Sequence, residues 1–222
     1  MVPLIDNQWS GGASDVTGPD YRGLVKRIAI AGGIGAGKTA VSDRLATLGY
    51  EVIDADAVAH EVTVRGGPVW QAMRDAFGDG VLGPDGSLDR AFVAEIVFHD
   101  ATALRRLNRI THGPIGVEIA RRLDGAAGAV CFVALPLFRP EHRVVFSLDE
   151  AWAVLASPEV SLRRLREQRG FTEVDARARL ASQMSNEERT ALVDRTIWNE
   201  GSLDELHASV DRALVESGVA HG

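Results

Sequence analysis

The chain of 222 residues is long enough to bury a sizeable core, and its 45% hydrophobic and 25% charged residues are typical of an ordinary globular enzyme. No apolar run approaches the roughly 20 residues that a membrane-spanning helix needs, so we expect no membrane role. The formal net charge of −7 argues against nucleic acid as a partner, because binding to a phosphate backbone requires a positive field.

Residues 1–25 form the first predicted segment. They carry early acids and no apolar core flanked by lysine or arginine, so they do not resemble a signal peptide, and we expect a flexible tail. The single cysteine, Cys131, excludes an internal disulfide and a cysteine-based zinc site. A cytoplasmic location follows as the default expectation, together with a monomer or a small homo-oligomer.

A strand and a helix are predicted on either side of a glycine-rich loop. Residues 26–31, KRIAIA, are typical of a short buried strand. The stretch after the loop, TAVSDRLATLG, has Val41, Leu45 and Leu48 on one helical face and Gly49 as the expected stop. The loop therefore joins a strand to a helix.

The loop matches the phosphate-binding pattern G-x-x-x-x-G-K-[ST], with Gly32, Gly37, Lys38 and Thr39 at the fixed positions. Glycines let consecutive backbone N–H groups surround a phosphate, the lysine reaches the outer phosphates, and the threonine hydroxyl can ligate magnesium. A chance glycine-rich turn is the alternative, but the flanking strand and helix favour a nucleoside triphosphate with Mg²⁺. The predicted nucleotide-binding residues are Gly33, Ile34, Gly35, Ala36, Gly37, Lys38, Thr39 and Ala40, with Thr39 also the predicted metal ligand.

Two acids follow the next predicted strand. Asp54 directly follows Val52 and Ile53, and Asp56 comes two residues later. Ligands of open parallel sheets bind beyond the carboxyl ends of the strands, so an aspartate there can accept a proton from an attacking hydroxyl. Alternatively, one of the acids only caps a helix that starts near Ala57.

At this point the chain resembles the dephospho-coenzyme A kinase family. The resemblance rests on the stretch IAIAGGIGAGKTAVSDRLATLGYEVIDADAVAHEV, including the short gap between the phosphate loop and the Asp-x-Asp pair. Later segments such as LRRLREQRGFTEVDARARLASQ and DRTIWNEGS are also similar, in the same order, so that the likeness spans roughly residues 26–215. It implies an α/β fold of the P-loop kinase type: a parallel sheet flanked by helices, a helical acceptor-binding insertion and a helical lid.

The resemblance also implies roles for individual residues, with ATP and Mg²⁺ as cofactors and dephospho-coenzyme A as substrate. Asp56 would activate the ribose 3′-hydroxyl, while Lys38 and the lid residue Arg169, supported by Arg164, would neutralise the migrating phosphoryl group. Asn199 and Gly201 fall where the family approaches the adenine of ATP. His112 matches a family segment that binds the acceptor.

The expected domain layout follows the same pattern. The nucleotide-binding core would comprise residues 26–58, 126–157 and 191–218, and it includes the predicted strands GAVCFVALPL and EAWAVLA. Residues 59–125 show helical spacing and would form the acceptor-binding insertion, and residues 158–190 would form the lid.

Simpler explanations remain open for some of these residues. Arginines of the lid, paired with acids as in Glu173 with Arg177, can form a solvated helix face without any ligand. Arg169 stands out only because Gly170 marks a helix end and a plausible hinge. His112 can equally be an ordinary polar group near a helix end.

Two segments depart from the family pattern. The family has His-Pro where this chain reads His112-Gly113-Pro114, which predicts a differently shaped acceptor loop. After the third strand, Arg139 and Pro140 stand where a glutamate is expected, with Glu141 one position late. The change around Arg139 motivates one alternative, a divergent ATP-binding protein without catalysis. A P-loop kinase for another small hydroxyl or nucleotide acceptor is the second alternative.

Overall fold

The computed structural model describes residues 25–219. The tail expected over residues 1–25 lies outside this range except for Val25. The described residues form two compact units, one of residues 55–124 and the other of the residues before 55 and after 124. No helix among residues 25–219 is both long and apolar enough to cross a bilayer.

The larger unit is built on a five-stranded sheet with the order β2-β3-β1-β4-β5. All four strand pairs are parallel. The strands are β1 (Lys26–Gly32), β2 (Glu51–Asp54), β3 (Val130–Ala134), β4 (Glu150–Leu155) and β5 (Arg195–Trp198). The predicted parallel sheet is thus confirmed, and its interior strands are continuous apolar runs because helices cover such sheets on both faces.

Strand β5 was not among the predicted strands. It is four residues long, pairs only with β4, and has one buried residue, Ile197. An edge strand of this length carries too little apolar pattern for the sequence to reveal it.

Ten α-helices lie within residues 25–219. They are α1 (Lys38–Thr47), α2 (Ala55–Val62), α3 (Pro68–Phe77), α4 (Arg90–His99), α5 (Ala101–Gly125), α6 (Glu141–Val145), α7 (Pro158–Arg169), α8 (Glu173–Ala181), α9 (Asn186–Thr190) and α10 (Leu203–Glu216). Helix α1 ends two residues after Leu45, and Gly49 follows its end with φ 87°, as its predicted role as a stop requires.

The core of the larger unit packs α1 and α10 against the sheet. Trp152 is fully buried on β4, and its ring meets Phe132 of β3 edge-on with a centroid distance of 5.3 Å. Val41 and Leu45 from α1 belong to the same apolar cluster, as does Leu214 from α10. This packing fixes the start of α1, and therefore the phosphate loop that precedes it.

A charged network closes the opposite end of the sheet. The carboxylate of Glu150 accepts hydrogen bonds from Lys26 at 2.5 Å, Trp152 at 3.0 Å, Ser217 at 2.7 Å and Arg195 at 3.3 Å. Burial by itself raises the pKa of Glu150, but the hydrogen bonds from Lys26, Trp152 and Ser217 outweigh burial and hold the pKa at about 2. The second lysine of the chain thus has a structural partner at this end of the sheet.

The unit of residues 55–124 is helical and has its own apolar core. Val69 and Met73 of α3, Val93 and Val97 of α4, and Leu107 of α5 form that core. Helix α5 continues through His112, Gly113 and Pro114, so the prediction of a loop at this place is wrong. Proline removes one backbone N–H from a helix, but buried residues along α5, among them Thr111 and Ile119, hold it in place on either side.

Candidate active site

The phosphate loop is shaped by close contacts of its glycines. A side chain at Gly32 would come 2.9 Å from the carbonyl oxygen of Val154 on β4. Gly37 has φ 98°, a left-handed conformation, and a side chain there would collide with Nδ2 of Asn199. Both positions therefore require glycine for packing of the fold, independently of any ligand.

The loop presents free donors to an anion. Gly37 is the N-cap of α1 and provides no capping side chain, so the N–H groups of the first helical turn lack a capping oxygen. The helix dipole adds positive potential at the same place. Lys38 is the first residue of α1 and is partly buried, whereas Thr39 beside it is exposed. This donor set suits the phosphate groups of a nucleotide, and an exposed hydroxyl suits a hydrated Mg²⁺.

Asn199 and Arg164 support the loop from behind. Asn199 is 6% exposed; its Nδ2 donates to the carbonyl oxygen of Ala36 at 2.8 Å, and its Oδ1 accepts from Arg164 at 3.0 Å. Arg164 also donates to the carbonyl oxygen of Gly35 at 3.3 Å. The structure thus brings both predicted residues to the loop, with their side chains bonded to its backbone.

Gly201 lies next to this support but does not take part in it. It is exposed and precedes Ser202, which caps α10 together with Glu205. An open groove runs along Trp198, Asn199, Gly201 and Arg212, and Trp198 is half exposed in it. The expected proximity of Gly201 to adenine stays a prediction.

Two further residues, Gln183 and Arg189, contact the phosphate loop and were not predicted from the sequence. Gln183 Oε1 accepts the backbone N–H of Ile34 at 3.0 Å, and it also accepts from Nη2 of Arg189 at 3.2 Å. Arg189 lies on the short helix α9. The pattern Ser185-x-x-Glu188, which forms a capping box here, was the available signal for that helix.

Asp56 belongs to the helical unit of residues 55–124. Helix α2 starts at Ala55, so Asp56 lies exposed in its first turn and does not precede the helix as a cap. Its negative charge is favourable at the N-terminus of a helix. Asp54 is the last residue of β2, at the carboxyl end of that strand.

Arg90 is another residue whose place near the site was not predicted from the sequence. Its Nη2 donates to the carbonyl oxygen of Ala59 at 3.2 Å and to the hydroxyl of Thr63 at 2.5 Å. Loss of water contact lowers the pKa of the Arg90 guanidinium, and the charge of Asp56 opposes that shift. Arg90 is therefore a positive neighbour of the predicted base, held by α2. It directly follows Asp89, the N-cap of α4, which is the only sequence signal near it.

His112 lies on α5 and is 7% exposed. Burial lowers the pKa of its imidazole, so the ring is neutral at pH 7. Its surroundings on the same helix include the buried polar residues Asn108 and Thr111. The predicted contact with the acceptor stays a prediction.

Arg169 ends α7 and is exposed. Gly170 follows in the left-handed conformation with φ 66°, which confirms the predicted helix end. Within residues 25–219, the guanidinium of Arg169 makes neither a hydrogen bond nor an ion pair. The position therefore leaves this charge free to meet a ligand.

Helix α8, the second helix of the predicted lid, begins as expected. Thr172 caps it, accepting from the N–H of Asp175 at 3.1 Å. The predicted pair of Glu173 with Arg177 forms at 2.8 Å.

The segment after β3 carries the departures seen in the sequence. Pro136 and Phe138 lie beside Gly32 at the end of β1. Glu141 is exposed in the first turn of α6, and the buried ring of His142 accepts the N–H of Arg139 at 3.2 Å. The ring of His142 packs between the rings of Phe138 and Phe146. The position of Glu141, one residue later than in the family, thus belongs to a short helix with its own packing.

Comparisons with known proteins agree with this geometry. A family model described as dephospho-CoA kinase matches residues 26–205. A dephospho-CoA kinase from Streptomyces avermitilis is 44% identical over 186 residues, covering 83% of this chain and 90% of that protein. One from Corynebacterium glutamicum is 38% identical over 193 residues, covering 86% and 96%. Among solved structures, that of TT1252 from Thermus thermophilus is similar with a TM-score of 0.73 and 27% identity, covering 86% and 97% of the two chains.

Proposed function

We propose that in this chain, which belongs to the dephospho-CoA kinase family, the phosphate loop, Asp56 and Arg169 of the lid together transfer the γ-phosphoryl group of ATP to the 3′-hydroxyl of dephospho-coenzyme A. Membership of this family establishes the reaction, in which ATP is the phosphoryl donor. The roles of the individual residues are what we propose. The observation that supports them most is the set of uncapped N–H groups at the start of α1, next to Lys38.

The phosphate loop and Lys38 bind the phosphates of ATP. The N–H groups of the first turn of α1 donate to phosphate oxygens, and the ammonium group of Lys38 neutralises the charge that spreads over the transferred group. Asn199 and Arg164 keep the loop in shape through its carbonyl oxygens. These contacts are made before the reaction, so they cost no rearrangement during it.

Mg²⁺ is the proposed metal cofactor, and the hydroxyl of Thr39 is its proposed protein ligand. A single exposed hydroxyl would suit this ion, because Mg²⁺ usually keeps several of its waters. When bound, it lowers the negative charge that the acceptor oxygen must approach.

Asp56 is the proposed general base. Its exposed carboxylate accepts the proton of the ribose 3′-hydroxyl as that oxygen attacks the γ-phosphorus. The proton passes to Asp56, the new P–O bond forms, and ADP leaves with the electrons of the broken bond. Arg169 compensates the charge of the migrating group when the lid excludes water.

The comparisons give no support to a different acceptor or to a protein without catalysis. The alternative without catalysis rested on the segment around Arg139, which directly precedes the short helix α6. A cytoplasmic location and a small assembly remain predictions.

An assay of ADP release, with mass spectrometry of the product, tests the proposed roles. The assay contains Mg-ATP and dephospho-coenzyme A, with adenosine, AMP and shikimate as control acceptors. Asp56→Asn is expected to reduce kcat by about 10²- to 10⁴-fold while ATP binding is retained, because general-base catalysis contributes that much. Asp54→Asn is the matched control. Normal turnover in Asp56→Asn shows that Asp56 is not the base.

A further inference from the structure

Arg189 has a partly buried guanidinium that forms no ion pair with any described residue. Its Nε is enclosed and has no hydrogen-bond partner among the described residues. No carboxylate of residues 25–219 forms an ion pair with it. Its side chain instead borders a small cavity lined by apolar groups, among them Phe138, Met184 and Leu192.

Such an arrangement is costly in a protein that has no ligand. Burial lowers the pKa of the Arg189 guanidinium, and only the charge of Glu188 opposes this. The Glu188 carboxylate is committed to the N–H of Ser185 at 2.7 Å. Charged groups removed from water are normally paired, so a guanidinium with an unpaired N–H donor indicates that a ligand provides the missing partner.

The position of Arg189 shows where that partner binds. A Cβ atom at Gly33 would lie 3.6 Å from both Cζ and Nη2 of Arg189. Gly33 and Ile34 are part of the phosphate loop and precede Lys38 by five and four residues. The guanidinium therefore lies against the same loop that presents its N–H groups to an anion.

Gln183 links the two donors. Its Oε1 accepts simultaneously from Ile34 N at 3.0 Å and from Arg189 Nη2 at 3.2 Å. A phosphate oxygen accepts from the same types of donor, and charged acceptors bind them more strongly than an amide oxygen does. The Gln183 carbonyl thus occupies a place that suits a phosphate oxygen.

Arg189 is also held in position in advance. Helix α9 has a full capping box between Ser185 and Glu188. Asn186 Nδ2 donates to the carbonyl oxygen of Ala156, just after β4, at 2.9 Å. The guanidinium is thus anchored to the sheet that carries the phosphate loop.

We propose that Arg189 is a further catalytic residue, which contacts the phosphate chain of bound ATP, and that the Gln183 carbonyl holds the place of a phosphate oxygen until ATP displaces it. This inference rests on the proposed function and adds an arginine to the charges that Lys38 and Arg169 supply. It does not depend on the identity of the acceptor, because it concerns the ATP side of the site.

Calorimetric titration with Mg-ATP and steady-state kinetics of the full chain test the role of Arg189. Arg189→Met is expected to weaken ATP binding about 10- to 100-fold and to lower kcat/KM at least as much, with partial recovery in Arg189→Lys. Arg177→Met, which removes an exposed arginine of α8, is the matched control and is expected to change neither quantity. Unchanged ATP affinity in Arg189→Met overturns the proposal.

Melting temperatures separate this role from a structural one. Without nucleotide, Arg189→Met is expected to be no less stable than the parent, because it removes a partly buried guanidinium that has no ion-pair partner among the described residues. The stabilisation that saturating ATP gives the parent is expected to shrink. A destabilised variant that ATP stabilises as much as the parent shows that Arg189 is structural.

Gln183→Ala tests the place-holding carbonyl. With the competing oxygen removed, ATP is expected to bind at least as tightly as to the parent. Weaker binding overturns this part of the proposal, because it shows that Gln183 aids binding. The ATP titrations stay decisive even if the parent forms no coenzyme A, so a failure of the proposed function is distinguishable from a failure of this inference.

Discussion

Arg169 and Arg189 lie near the two ends of residues 158–190, the segment expected to form the lid, and their surroundings are opposite. Arg169 ends an exposed helix before a left-handed glycine and binds no described residue. Arg189 is partly buried on a short helix that is anchored to the end of β4. One charge is free to move, and the other is fixed against the phosphate loop.

The difference shows two ways of supplying positive charge to a phosphoryl group. A fixed arginine loses its hydration when the protein folds, so it is ready for the ligand but costs stability beforehand. A mobile arginine stays hydrated until the lid closes and can therefore act late in the reaction. We expect the fixed residue to affect ATP binding and the mobile residue to affect turnover.

Arg169→Met should give the largest effect and tests the comparison directly. We expect kcat to fall about 10²-fold or more while the Kd for ATP changes little, since the charge is needed in the transition state only. Single-turnover kinetics and calorimetry measure the two quantities separately. If Arg169→Met weakens ATP binding as much as Arg189→Met does, the two arginines do not differ in the way described.

Asn199→Ala should have the next largest effect, on the loop that both arginines serve. Truncation leaves the carbonyl oxygen of Ala36 and the guanidinium of Arg164 without their amide partner, and we expect ATP affinity to fall about 10-fold. Asn199→Asp can still accept from Arg164 but cannot donate to Ala36. Equal losses in the two variants assign the effect to the Ala36 bond, and normal ATP binding in both shows that this support is dispensable.

Asn186→Ala converts the fixed arginine into a more mobile one. It removes the bond to the carbonyl oxygen of Ala156, and we expect a loss of ATP affinity of several-fold, corresponding to about 1 kcal/mol. Hydrogen exchange of residues 185–193 should increase, while exchange around Gly170 should stay the same. Unchanged exchange in both regions shows that other contacts anchor α9.

The last prediction concerns stability at the end of the sheet where Lys26 and Glu150 lie. The pKa of Glu150 is about 2, below its ordinary value, so its stabilisation is complete above about pH 5 and is lost as the pH falls toward 2. We expect this group to contribute about 2 to 3 kcal/mol to the free energy of unfolding at pH 7. Urea unfolding of Glu150→Gln between pH 7 and pH 3 should show a flatter profile than the parent.

The exposed residue Glu141 provides the control for this last experiment. Glu141→Gln replaces an exposed carboxylate in the same way and is expected to change the free energy of unfolding little at pH 7. A parent profile as flat as that of Glu150→Gln contradicts the assigned role of the network at Lys26.

Much of the site was readable from the sequence because its parts are contiguous. The phosphate loop is one stretch between a strand and a helix, so its identity, its lysine and its glycines follow from local spacing. The interior strands were predicted for a similar reason, since a strand buried on both faces is a continuous apolar run. The family resemblance added Arg164 and Asn199, although the way they bind the loop backbone was not foreseen.

The sequence by itself thus determined the parallel α/β fold, the phosphate loop and, through its resemblance, the reaction. Tertiary structure alone decided that Gln183 bonds to Ile34, about 150 residues earlier in the chain, and that Arg189 lies beside Gly33. It also decided that α5 continues through Pro114 and that β5 is a strand at all. The physical reason is the same in each case: local patterns record the backbone's own preferences, whereas contacts between distant segments arise only when the packed core fixes where those segments lie.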